Sequence, residues 1–119
     1  MEARASTHRA NRHRGEVEAM IDGERRILCL TLGALAELET AFRADSLADL
    51  AARFSGGRLK ADDLIRIIGA GLRGGGNRLS DEDVADMAID GGISASAALV
   101  RDLLTVTFAA GGEGSRPDP

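Results

Sequence analysis

The chain has 119 residues, 44% of them hydrophobic and 29% charged, with a net charge of −4. This is the composition of one soluble domain and excludes a disordered polyelectrolyte. Three Phe and no Trp or Tyr leave a core of Leu, Ile, Val and Ala, which favours helices over an aromatic-rich sandwich or barrel. One cysteine, Cys29, and two histidines, both within the first 13 residues, exclude a disulfide framework and make neither a zinc site nor any other metal or cofactor site expected. No apolar run reaches the roughly 18–20 residues of a membrane span, and no apolar stretch follows the N-terminal charges as in a secretory signal, so the expected compartment is the cytoplasm.

The charge is uneven. Residues 1–14 hold Arg4, Arg9, Arg12 and Arg14 against Glu2, a charge of +3, whereas residues 15–119 carry −7. Residues 1–14 show no apolar period and read as a disordered basic arm. Such an arm could touch nucleic acid or an acidic partner, or simply aid solubility. The acidic body and the lack of interleaved aromatics favour the last.

Val17, Ala19 and Ile21 alternate with acidic residues up to Asp22-Gly23, a dipeptide suited to a tight hairpin turn. Glu24–Leu30 is the returning strand, with Cys29 inside its apolar run as a small buried hydrophobe rather than an activated thiol. From Thr31 the period becomes helical. Thr31 is a candidate cap for a stripe of Leu32, Leu35, Leu38 and Phe42 joined by Ala36, and Asp45 or Ser46 for a short helix carrying Leu47, Leu50, Ala51 and Phe54 that stops at Gly56-Gly57. A third helix, Lys60–Arg73, turns Leu64, Ile65, Ile68 and Leu72 inward. It has acids in its first turn, Arg66 placed to pair with Asp62 or Asp63, and Lys60 where a Ser-like cap is expected. Ser80 and Asp83 form a shortened capping box for a fourth helix with Val84 and Met87 inside. Ser94 is the candidate cap of a last helix to about Phe108, with Leu99, Val100, Leu103, Leu104 and Phe108 as its stripe. The fold class is therefore mainly α: an N-terminal β-hairpin followed by about five short helices in a compact cluster. One globular domain spans residues 15–109, and a disordered tail spans 110–119.

Little in this chain points to chemistry. Gly69-Ala70-Gly71-Leu72-Arg73-Gly74 matches the dinucleotide pattern G-x-G-x-x-G. It falls at the end of a helix, where carbonyls repel phosphate, so close packing and a helix stop explain it better. The acids from Asp81 to Asp90 lack the spacing of a calcium loop and read as a solvated face, or as a docking surface for a basic partner. No Ser/His/Asp or Cys/His set can form, and the chain is not expected to be an enzyme. The Lys60–Arg73 helix opens Lys-Ala-Asp-Asp, which would meet DNA phosphates with acids, so a DNA-binding regulator could act only through the arm.

Several segments are together similar to a known family: Asn11-Arg12-His13-Arg14-Gly15-Glu16, Thr31-Leu32-Gly33-Ala34-Leu35-Ala36-Glu37-Leu38-Glu39, Leu64–Gly74 and Leu79–Val84. Over residues 10–108 the chain resembles the small tail proteins of gene transfer agents, phage-like particles that carry host DNA. Members have been labelled both tail tube protein and tail assembly chaperone. The resemblance implies a part in building a phage-like tail and carries no active-site residues. The reading favoured is a non-enzymatic chaperone that coats the tape measure protein until tube subunits replace it, because one hairpin offers little sheet to polymerise. A structural tail component is the alternative, and an arm-based DNA-binding regulator a further one. The expected partners are the tape measure protein and other tail proteins, with self-association open and neither membrane nor nucleic acid expected. The candidate partner-binding residues are Leu32, Leu35, Phe42, Leu50 and Phe54, each of which could equally be simple core.

Overall fold

The computed structural model describes residues 9–55 and 59–115. A 3-10 turn at Arg12–Arg14 leads into β1 (Glu16–Ile21) and β2 (Glu24–Cys29). Five helices follow: α1 (Leu32–Phe42), α2 (Leu47–Ser55), α3 (Ala61–Gly74), α4 (Asp81–Ala85) and α5 (Gly92–Ser115). The architecture is the expected antiparallel hairpin with five helices around it.

The hairpin turn is local chemistry. Asp22 and Gly23 take φ of 52° and 81°, the positive angles of a two-residue turn whose twist suits the strands, and Ile21 pairs with Glu24. That register sets Val17 opposite Leu28, and both are buried, as is Ile21. The blurred alternation in β2 is thereby resolved: Leu28 faces the core, while Ile27 and Cys29 lie on the other face, half-buried.

Thr31 caps α1, its hydroxyl accepting from the Ala34 N–H at 3.1 Å. The buried stripe is Ala34, Leu35, Leu38 and Phe42. Ala34 replaces the expected Ala36, and Leu32 is 81% exposed. The inward arc runs i, i+1, i+4, i+8 from Ala34, and both Leu32 and Ala36 fall outside it. Arg43, with φ of 56°, ends the helix, and the Ala44 N–H closes on the Glu39 carbonyl at 2.9 Å. Ser46 caps α2 by accepting from the Asp49 N–H at 3.1 Å. Phe54 on α2 meets Phe42 on α1 edge-to-face with centroids 5.0 Å apart. The Gly56-Gly57 stop lies outside the described residues.

The central helix is α3. It packs against β2, α1, α4 and α5, so Ile67 and Ala70 are buried alongside Leu64, Ile68 and Leu72, while Ile65 stays half-buried. Lys60 cannot accept a bond from the helix as a Ser would. Instead the Asp63 carboxylate accepts from the Lys60 N–H at 3.0 Å, half of a capping box. Asp62 pairs with Arg66 at 3.0 Å. At α4 the box is complete: Ser80 Oγ accepts from the Asp83 N–H at 3.1 Å, and Asp83 Oδ2 from the Ser80 N–H at 2.9 Å.

The glycines of the G-x-G-x-x-G match are packing residues. A Cβ on Gly69 would overlap Asp81 Oδ1 on α4. One on Gly71 would sit 2.8 Å from Leu103 Cδ2 on α5, and one on Gly74 would overlap the Cys29 carbonyl oxygen on β2. Each glycine lets α3 touch a different neighbour. Helix α5 starts at Gly92, after Gly91 and Gly92 at φ of 93° and 72°, so Ser94 lies inside the helix rather than capping it. Val106 joins Leu99, Val100 and Leu103 in the core. The element extends to Ser115, into the stretch expected to be an unstructured tail.

Candidate partner-binding surfaces

Four of the five residues singled out in the sequence lie inside. Leu35, Phe42, Leu50 and Phe54 are buried in the common core, and Leu32 alone stands at the surface, at the start of α1. The structure therefore does not gather the five into one patch.

The two-stranded sheet is engaged at both edges by its own chain. The Ile21–Glu24 pairing leaves the even-numbered residues of β1 facing outward. There the Glu16 N–H donates to the Asn11 carbonyl at 3.1 Å, and the Met20 carbonyl accepts from the Asp90 N–H at 3.2 Å. Ile89 forms a single bridge to Ile21. Asp22 fixes the same segment through the Ala88 carbonyl at 2.8 Å and the Ala88 N–H at 2.9 Å. On β2, the Ile27 carbonyl accepts from Asn77 Nδ2 at 3.0 Å, and Gly74 and Gly75 bring the end of α3 against the Cys29 and Ile27 carbonyls.

The helices leave apolar clefts. One, of about 360 Å³, lies between α3, α4 and the start of α5, with Ile65, Ile68, Val84, Met87, Ile89 and Ile93 among its walls. Ile93 stands on its rim, 69% exposed. A second, of about 310 Å³, lies between Ala51 and Phe54 of α2 and Leu104 and Phe108 of α5. Sequence reading missed Ile93 because it stands apart from the α5 stripe, just after a glycine pair. Its isolation on an otherwise small-residue turn is the only signal.

Electrostatics tie residues 9–14 to the body of the domain. Residues 1–8 of the expected arm lie outside the described residues, but 9–14 are seated. Arg12 makes a bidentate bond to Asp102 of α5 at 2.6 and 3.0 Å, Arg9 approaches Glu18 at 3.8 Å, and Arg14 approaches Glu16 at 3.8 Å. The hydrogen bond from Arg12 holds the Asp102 carboxyl below its ordinary value. The linkage follows in sign: this contact stabilises the fold fully above the ordinary carboxylate range and is lost as pH falls through the lowered value. Asp102→Asn will therefore lower the melting temperature at neutral pH and flatten the acid limb of the profile recorded from about pH 6 to about pH 2, so that variant and wild type converge at the acid end. Arg73 links three elements, donating to Glu37 of α1 at 2.7 Å, Asp81 of α4 at 3.0 Å and the Leu79 carbonyl at 2.8 Å. Burial, and then the negative charge of Glu16, push the Cys29 thiol up, which keeps it protonated and a weak nucleophile at neutral pH. Among the described residues no three His, Cys, Asp or Glu converge as a metal-binding group, and no helix is long and apolar enough to cross a membrane.

The domain thus combines a hairpin engaged along both edges by its own chain with a helical cluster that leaves open apolar clefts. Residues 14–110 match the family described as phage tail tube protein, GTA-gp10, and the chain belongs to that family of tail-associated proteins. No curated protein and no solved structure matches the chain.

Proposed function

We propose that this chain is a non-enzymatic assembly chaperone of a phage-like gene transfer agent tail, which holds the tape measure protein in the cytoplasm until tube subunits take its place. The observation that carries this reading is the state of the hairpin. A tube wall grown by strand addition needs free sheet edges, and here the edges are engaged at Glu16, Met20 and Ile27 by the chain's own polar groups. The apolar clefts between the helices are, in contrast, open, and shallow apolar clefts suit reversible holding of an apolar client. The second reading, a structural component of the tail, is favoured by the family's description as a tube protein.

Affinity capture from particle-producing cells tests the proposal. The tape measure protein is expected to be captured before tails are complete. Capture of tube subunits and finished tails without free tape measure protein would instead support the structural reading.

A further inference from the structure

We infer that the polar cleft between the ends of α1 and α2 and the first turns of α3 binds a carboxylate-rich segment of a partner protein. The inference goes beyond the holding role proposed above and does not depend on it. The cleft is not one of the apolar ones, and a structural tail component could use it equally.

The lining itself carries the charge. The cleft is about 610 Å³, and Arg43, Arg53, Lys60 and Arg66 line it together with Asp62 and Asp63. Four cations against two acids leave +2, in a body whose residues 15–119 carry −7. Both acids are already engaged. Asp62 pairs with Arg66 at 3.0 Å, and Asp63 accepts from the Lys60 N–H at 3.0 Å. Asp49, one helical turn before Arg53, instead accepts from the Asp45 N–H at 3.1 Å. Arg43, Arg53 and Lys60 are exposed, and none has a carboxylate partner among the described residues.

Packing holds one of these cations in place. The Arg53 guanidinium lies 5.0 Å from the centre of the Phe42 ring, and Phe42 is itself buried against Phe54, so the cation rests on a fixed wall. A guanidinium so held can meet a carboxylate with two parallel N–H···O bonds. The same cleft disfavours a long polyanion. A nucleic acid strand would carry its row of phosphates beyond the cleft and over an acidic surface. A peptide can confine its charge to as few carboxylates as the three unpaired cations take up.

The test uses the full chain and a short fluorescent peptide of alternating glutamate and serine. The same peptide with glutamine for glutamate and a single-stranded oligonucleotide serve as controls. Binding is read by anisotropy and mapped by amide chemical shifts. The glutamate peptide is expected to bind, to shift Arg43, Arg53 and Lys60, and to weaken as salt rises. Arg53→Gln with Lys60→Gln is expected to weaken it about ten-fold and to flatten the salt dependence. Asp62→Asn removes a lining acid and releases Arg66, so it is expected to tighten binding about two- to three-fold, a gain that loss of folding cannot produce. No saturable binding of the glutamate peptide below about 1 mM would overturn the inference. So would equal binding of the glutamine peptide, shifts confined to another face, or indifference to both sets of substitutions. Tighter binding of the oligonucleotide at this cleft would overturn it by assigning the site to nucleic acid. Self-association abolished by Arg53→Gln with Lys60→Gln would overturn it by assigning the site to a second copy. Capture of the tape measure protein from cells reads the holding role separately, and either result there leaves the peptide measurement decisive for the cleft.

Discussion

Gly74→Ala will destabilise the domain by about 3 kcal/mol, at the upper end of what overpacking usually costs. The added Cβ would overlap the carbonyl oxygen of Cys29, a backbone atom of β2 that cannot rotate aside. Relief requires the end of α3 to lift from the hairpin, which also draws Asn77 away from the Ile27 carbonyl. For a domain of this length the loss corresponds to a fall of about 12 °C in melting temperature. Gly33→Ala is the control. Its Cβ would meet only Thr31 Oγ1, at 3.9 Å, in the first turn of α1. That substitution is expected to be neutral or to stabilise by about 0.5 kcal/mol, because alanine loses less backbone freedom on folding. Thermal melts of the two variants beside the wild type check both values.

The second large effect concerns Leu103 and Gly71. Leu103 is fully buried on α5, and its Cδ2 lies 2.8 Å from where a Cβ on Gly71 would stand. Leu103→Ala removes the side chain that closes the α3–α5 contact and is expected to cost about 2–5 kcal/mol. Gly71→Ala is expected to cost about 1–3 kcal/mol, since it forces that same leucine to move. The double variant will cost less than the sum of the two, by about 1 kcal/mol or more, because the new methyl enters space that Leu103 has vacated. A double-mutant cycle by urea denaturation measures the coupling. Additive costs would mean that α3 and α5 do not meet through these residues.

The elements that local chemistry specifies were legible in the sequence. Asp22-Gly23 can hardly be other than a hairpin turn, and Thr31, Ser46 and the Ser80–Asp83 pair cap the helices that the apolar periods mark. What escaped was set by tertiary contacts. Leu32 satisfies a helical stripe on paper, yet the arc from Ala34 to Phe42 is the one that meets α3. Helix α5 begins two residues before Ser94, because Gly91 and Gly92 turn the chain directly out of the segment bridged to β1. The glycine motif gave packing as its meaning only through where α3 ends. Which partners Gly69, Gly71 and Gly74 admit depends on three elements distant in sequence.

The candidate surfaces were less legible for the same reason. An apolar stripe does not reveal which of its members another element will cover. Leu35, Phe42, Leu50 and Phe54 are covered by each other's helices and by the rest of the core, whereas Ile93, outside any stripe, is left on a rim. The basic arm read as a detached charge, yet Arg12 finds Asp102 ninety residues away. Only the folded arrangement places those opposite charges together.

The most direct test of a chaperone as opposed to a wall subunit is the copy number of this chain in purified, finished particles, measured by quantitative mass spectrometry against a known tail protein. An assembly chaperone is expected to be absent from the particle, or present far below one copy per tube subunit. Stoichiometric presence along the tail would contradict the account and would mean that the hairpin edges, engaged within the isolated chain at Glu16, Met20 and Ile27, open when the tail forms.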